Sequence, residues 1–274
     1  MDKNLLNQRI NEILLEKNYI RVSELASEFN ITESSMNYLL KKEGYREKDI
    51  FVQLPKNYIK IFENIDEETS YWLGYLQADG CVNIDKNNRK RLILECQESD
   101  RELLENFCIF TNINKKRIKN TQHIKENNKI SKAVRLELYS TCFSIFPDKW
   151  IKPNKSHLNE ELPNDIIFYD YLLGMIDGDG CIYKGKGGPQ IQLLCRNPMA
   201  NQIIEKLKKD LPVNSSIWLL PYPKTSGLFI ITIGSGGTEY LNFKYLYNKF
   251  YSNKNYNSLQ RKKEKLKEII LSSL

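Results

Sequence analysis

Two aspartates one hundred positions apart close the same short motif. Residues 71–82 read YWLGYLQADGCV and residues 171–182 read YLLGMIDGDGCI; six of the twelve pairs are identical, among them Asp79 with Asp179. Placed on a helix, Gly74 and Ala78 lie one turn apart on one face, as do Gly174 and Gly178. Small residues on facing stripes let two helix backbones approach closely. If the copies pack about a pseudo-twofold axis, Asp79 and Asp179 emerge together at two helix C-termini. Carboxylates there repel one another and face the negative ends of two helix dipoles. A divalent cation relieves both penalties. Oxygen-only ligands, the two carboxylates with the backbone carbonyls of Ala78 and Gly178, select a hard ion, Mg²⁺ or Mn²⁺. In a basic protein the natural chemistry of such a site is phosphodiester hydrolysis.

Two plainer readings compete. Asp-Gly-Asp-Gly at 177–180 could open a calcium loop, but the twelfth position from Asp177 is Gly188 rather than Glu, and no further ligand pair follows. Asp-Gly could also simply end a helix in a turn. A single copy would be read that way; two copies, each with its stripe of small residues, argue for a site.

The elements around the motifs repeat as well. Asp66 followed by Glu67 and Glu68 predicts a helix start, and that helix runs to Asp79-Gly80. A hairpin follows (82–85 and 89–97), then a helix capped by Ser99 or Asp100, a second hairpin returning along 133–139, and a helix from about Thr141. In the second copy a helix starts at Asp165 and ends at Asp179. Hairpins at 181–196 and 216–234 follow, with a helix opened by Asn197-Pro198 that carries Ile203, Ile204 and Leu207, and helices at about 238–250 and 258–272. Each copy reads as helix, hairpin, helix, hairpin, helix. The fold class is α+β, with boundaries at 66–152 for the first repeat and 153–274 for the second.

Ahead of the repeats, residues 1–46 predict three short helices, the second begun at Ser23 and the third capped by Thr32. Two helices joined by the tight Asn30-Ile31 turn behind a supporting helix resemble a helix-turn-helix. The outward face of the last helix offers Ser34, Ser35, Asn37, Tyr38 and Lys41 to base edges or phosphates; the plainer reading is a protein-contact module with a solvated face. Residues 47–65 read as a linker.

Composition narrows the partner. At 41% hydrophobic and 27% charged the chain reads as globular. No apolar run approaches the roughly 18 residues of a membrane span, and no signal peptide is evident, so a soluble intracellular protein without a membrane partner is expected. The six cysteines form no CxxC or Cys/His cluster, which argues against zinc. The net charge of +7 lies entirely beyond residue 65, since residues 1–65 hold ten basic and ten acidic side chains. A basic body suggests a polyanion.

Aligned on nine letters, Trp72 to Gly80 (WLGYLQADG) and Leu172 to Gly180 (LLGMIDGDG) resemble the LAGLIDADG motif of homing endonucleases. The resemblance spans roughly 66–274. It implies two αββαββα halves related by a pseudo-twofold axis, with the motif helices between them and the last acidic residue of each motif, Asp79 and Asp179, binding the metals. Their antiparallel sheets would form a saddle on duplex DNA, and the activity would be double-strand cleavage at a long target by a monomer. Gln97 and Arg196, at equivalent hairpin ends, and Arg101 in the next helix are further catalytic candidates. The family's basic residue on a later strand has no clear counterpart near Ser140 or Gly234-Ser235. The departure from the motif is Gln77, where Asp177 keeps the acid; this hints that the two DNA strands are not handled identically. Alternate strand residues should face DNA: Asn83, Asp85, Arg91 and Glu95 in the first half, and Tyr183, Gln190, Gln192, Trp218 and Tyr222 in the second. The alternatives are a non-cleaving DNA-binding regulator on the same fold and a maturase whose partner is intron RNA.

Overall fold

The computed structural model describes residues 3–17, 20, 22–45, 59, 61–84, 89–124, 130–143, 146–147, 150–152, 160–185, 188–223, 225 and 227–272. Asp85, expected on the DNA-facing side, lies outside these, as does most of the expected linker. The chain forms two compact units, residues 1–58 with 141–143 and residues 59–140 with 144–274.

The first unit holds α1 (Lys3–Lys17), α2 (Val22–Glu28) and α3 (Glu33–Lys42). Leu6, Ile10, Leu25, Met36 and Leu40 make its core. Thr32 caps α3 as expected, its side chain accepting from the Ser35 N–H at 3.2 Å. Helix α2 starts at Val22, two residues before the Glu24 start that a Ser23 cap implies, and Val22 is buried in the core. Asn30 turns the chain between the two helices with φ 51°.

The second unit contains both repeats. Its first is α4 (Glu67–Asp79), β1 (Cys81–Ile84), β2 (Lys90–Gln97), α5 (Arg101–Phe110), β3 (Lys119–Ile124) and β4 (Ile130–Tyr139). Its second is α6 (Phe168–Asp179), β5 (Cys181–Gly185), β6 (Gly188–Arg196), α7 (Met199–Asp210), β7 (Ile217–Pro221) and β8 (Leu228–Gly234), with α8 (Leu241–Tyr251) and α9 (Gln260–Leu271) after it. Two four-stranded antiparallel sheets result, in the orders β1-β2-β4-β3 and β5-β6-β8-β7. The same permutation of hairpins in both makes this an α+β fold with duplicated sheets. No helix of the described residues is long and apolar enough to cross a membrane.

Helices α4 and α6 form the centre. Ten residues of α4 and eight of α6 are buried, which marks core helices rather than amphipathic surface ones. Their backbones touch at the glycines. A Cβ on Gly74 would stand 2.0 Å from the Tyr171 carbonyl oxygen, and one on Gly174 would stand 1.9 Å from that of Tyr71. The stripe expected from spacing is therefore used on both helices, and reciprocally.

Three local expectations differ. Helix α6 begins three residues after Asp165, because the Ile167 N–H donates to Ser70 of α4 at 2.9 Å and Asp165 instead accepts from the Trp150 indole at 3.4 Å. Asp100 occupies the cap position of α5 but makes no cap bond; it pairs with Arg261. Near Thr141 the described residues show only a 3-10 turn, Ser140–Cys142.

Candidate metal and nucleic-acid site

Asp79 and Asp179 are the last residues of α4 and α6, and each helix closes on a glycine in extended conformation that feeds straight into a strand. One residue earlier the helices still touch: a Cβ on Gly178 would lie 2.5 Å from that of Ala78 and 3.5 Å from the Asp79 carboxyl carbon. Glycine at 178 is what lets the end of α6 come up against Asp79.

A cavity of roughly 350 Å³ opens beside Asp79, between it and the outer face of the first sheet. Tyr75, Glu95, Gln97, Asp100, His123, Asp177, Gly178 and Arg261 are among its lining residues. The structure thus brings Gln97 to Asp79, together with Gly178. It does not bring Arg101, which pairs with Glu105 at 3.5 Å and reaches Asn120 at 3.3 Å. Asp179 is exposed and Arg196 ends β6 with its guanidinium over the Gly227 turn; neither lines this cavity.

The motif's odd pair, Gln77 and Asp177, has a packing reason. The Tyr171 hydroxyl donates to Gln77, and the Tyr71 hydroxyl donates to Asp177 at 2.9 Å, so each helix's tyrosine reaches the other helix's polar residue. Each polar residue then holds a segment that follows its repeat. Gln77 donates to the Trp150 carbonyl at 2.6 Å, while Asp177 accepts from the Leu259 N–H at 2.8 Å. The Trp150 carbonyl needs a donor, which an ionised acid lacks, so position 77 takes the amide; at 177 the Leu259 N–H and the Tyr71 hydroxyl both donate, and a carboxylate accepts both.

Asp177 is fully enclosed, and burial pushes its carboxyl up to about 6, against the pull of the Leu259 N–H and Lys262. Its Oδ1 is buried without a hydrogen-bond partner, and the residue is part of the cavity wall. A carboxylate with an unpartnered oxygen and Asp79 in one wall, with amide and carboxylate side chains around them, suits a hard cation. No cluster of three or more His, Cys, Asp or Glu of metal-holding geometry occurs among the described residues. Mg²⁺ does not require one, since it is commonly held by one or two carboxylates with substrate phosphate and water. The donor set fits the expected ion.

Sequence reasoning missed the strap that closes the site. Residues 254–262 run along the helix pair from its start to its end. Lys254 pairs with Asp170 at 2.7 Å and Glu67 at 3.4 Å. Tyr256 stacks on Tyr71 with centroids 4.9 Å apart and donates to Asp170. The Arg261 Nε donates to both oxygens of Asp100, at 2.9 and 3.1 Å, and Lys262 binds the last carbonyls of α6. One signal was present: Leu259, Lys262, Leu266 and Ile270 share the 3-4-4 spacing of a helix face, so a lysine stood on the apolar stripe.

The sheets present unlike outer faces. On the first, Glu137 pairs with Arg91 at 2.9 Å and Arg135 at 2.8 Å, and Glu95 contacts His123 at 2.7 Å. Asn83 sits opposite Arg91 in the register. On the second, Tyr183 donates to Gln190 at 2.9 Å and Gln192 to Thr232 at 3.2 Å, with Trp218 across from Thr232; Tyr222 follows β7 and bonds Leu228. Exposed Leu194 and Leu220 complete a face with few charges. In the first unit, Ser34, Ser35, Tyr38 and Lys41 are exposed on α3 and Asn37 partly so.

A duplicated antiparallel sheet arrangement around a buried helix pair, with an acidic residue at the end of each helix, defines the class of architecture. No family model and no curated protein matches the chain. Among solved structures it is similar to the homing endonuclease I-WcaI bound to its DNA recognition sequence, with 13% identity over 68% of this chain and 82% of that one and a TM-score of 0.47. It is similar also to the LAGLIDADG homing endonuclease I-GzeII in complex with its DNA target (12%, 77% and 90%, TM-score 0.45). A third is the meganuclease I-SmaMI bound to uncleaveable DNA (11%, 74% and 90%, TM-score 0.47).

Proposed function

We propose that this chain is a DNA endonuclease that hydrolyses phosphodiesters on both strands of a long duplex target, using Mg²⁺ or Mn²⁺. The observation that carries the reading is Asp79 at the end of a buried helix pair, facing a cavity of oxygen donors beside a sheet. The reciprocal approach of Gly74 and Gly174 supports a pseudo-twofold relation between the repeats. In this reading Asp79 and Asp179, with the carbonyls of Ala78 and Gly178, hold the ions. A bound ion supplies Lewis-acid stabilisation of charge on the phosphate. Gln97 orients water at the cavity mouth, and Arg261, in the same wall, meets the phosphate's charge; Arg196 serves the second half. Outer-face residues of both sheets (Asn83, Arg91, Glu95, Tyr183, Gln190, Gln192, Trp218, Tyr222) read base edges. Helix α3 extends the contact as the recognition helix of a helix-turn-helix.

The test is cleavage of a pooled duplex library with Mg²⁺ by the whole chain. Asp79→Asn or Asp179→Asn should lower the rate by about a hundred- to a thousandfold, as expected when a charge-stabilising group in the transition state is lost. Full cleavage by either variant removes the mechanism. Tight duplex binding without any cleavage by the unaltered chain favours the regulator, and promotion of intron splicing favours the maturase.

A further inference from the structure

Lys262 is 5% exposed, yet it carries an ammonium. Its Nζ donates to the carbonyls of Ile176, of Asp177 at 2.8 Å and of Gly180 at 2.7 Å, with that of Gly178 at 3.4 Å. The carbonyls of Asp177 and Gly178 belong to the last turn of α6, where a helix has no N–H of its own to offer; that of Ile176 also accepts from the Gly180 N–H at 2.9 Å. An ammonium has three donors and no lone pair, whereas a neutral amine would aim a lone pair at carbonyl oxygens. The surroundings therefore select the charged form, although burial by itself lowers the lysine's affinity for its proton.

The charges around it are specific. Asp177 and Asp79 attract it, and Arg261 opposes it. Gly178 touches both Lys262 and Asp79. Its carbonyl accepts from the ammonium, and its Cβ position lies 3.5 Å from the Asp79 carboxyl carbon. The lysine reaches this place because Leu259, one turn earlier, is pinned to Asp177 through its N–H.

We propose that Lys262 is a positioning residue of the site, a resident counter-cation for the Asp79 and Asp177 carboxylates, fixed by the open carbonyls of α6. The assignment rests on the reading above only in treating Asp79 as a site group. Its consequence is that the carboxylates are partly balanced before any ion arrives, so the helix ends hold their geometry without one. A lysine that merely caps α6 would supply hydrogen bonds and be indifferent to the charge of Asp79.

Thermal unfolding of the whole chain in EDTA, without DNA, separates these. Four proteins are compared: unaltered, Lys262→Gln, Asp79→Asn and the double variant. Glutamine keeps N–H donors for the carbonyls and removes the charge. Lys262→Gln should lower Tm, and adding Asp79→Asn should restore at least half of the loss, because the carboxylate left without its counter-charge is gone. Additive shifts, or no loss with Lys262→Gln, overturn the proposal. If Lys262→Gln does not fold, a folded double variant supports it and an unfolded one counts against it. Neither metal nor DNA enters the measurement, so a chain that cleaves nothing can still give a positive cycle, and additive shifts leave the nuclease reading standing.

Discussion

Position 77 shows how one side chain is chosen by the polarity of its neighbour. Gln77 donates to the Trp150 carbonyl and accepts from Tyr171, both in the core. Aspartate would match the motif better and fit the site worse, since a buried carboxylate would face a carbonyl oxygen at hydrogen-bonding range. Gln77→Asp should therefore destabilise by about 3 kcal/mol, the order expected for an unsatisfied and charged buried group. Chemical denaturation measures it, and a loss under about 1 kcal/mol would show that position 77 does not depend on donating. The motif departure was visible in the sequence, but its cause was not. Trp150 lies 73 residues away, and nothing local to either residue announces the bond.

At the scale of elements, the helix pair was legible because its determinants are local. Asp66 accepts from the Thr69 N–H at 2.8 Å and sets the start of α4, and the small-residue spacing fixes which faces meet. Gly174→Ala places a methyl 1.9 Å from the Tyr71 carbonyl oxygen and 2.7 Å from the Tyr75 nitrogen, both backbone atoms that cannot swing aside. Prying the helices apart should cost about 3 kcal/mol or more, at the upper end of overpacking effects. A thermal melt unchanged from the parent would mean the helices can separate freely. Helix α6 shows the limit of local signals: Asp165 carried a good cap signature, but the bond from Ile167 to Ser70 across the interface starts the helix later. The strap was unreadable for the same reason. Lys254, Tyr256, Arg261 and Lys262 look like surface residues until their partners, from Glu67 to Gly180, are in place.

For the whole molecule, the net charge of +7 conceals how the charges are arranged. On the first sheet Glu137 pairs with both Arg91 and Arg135, and Arg135 also reaches Glu95 at 3.8 Å. Strand alternation identified which residues share a face, but not that the face neutralises itself. Glu137→Gln releases the Arg91 guanidinium and leaves Arg135 with Glu95 at 3.8 Å. If duplex DNA lies on this sheet, the plot of log affinity against log salt should steepen by about 1, the change expected for one added phosphate contact. Fluorescence anisotropy at several salt concentrations gives the slope; an unchanged slope would place Arg91 away from the DNA backbone.

The crossed tyrosine contacts also limit how such a molecule can be rebuilt from parts. A chain made of two second repeats would leave the Trp150 carbonyl without its donor, and one made of two first repeats would bring a side-chain NH₂ to a place where Asp177 meets only donors. Neither half is a free-standing module. Residue 77 is matched to the chain that leaves the first repeat, and residue 177 to the strap that closes the second. In a chimaera the interchangeable piece is a repeat together with its own trailing segment, and a seam cut between the two would separate a donor from its acceptor.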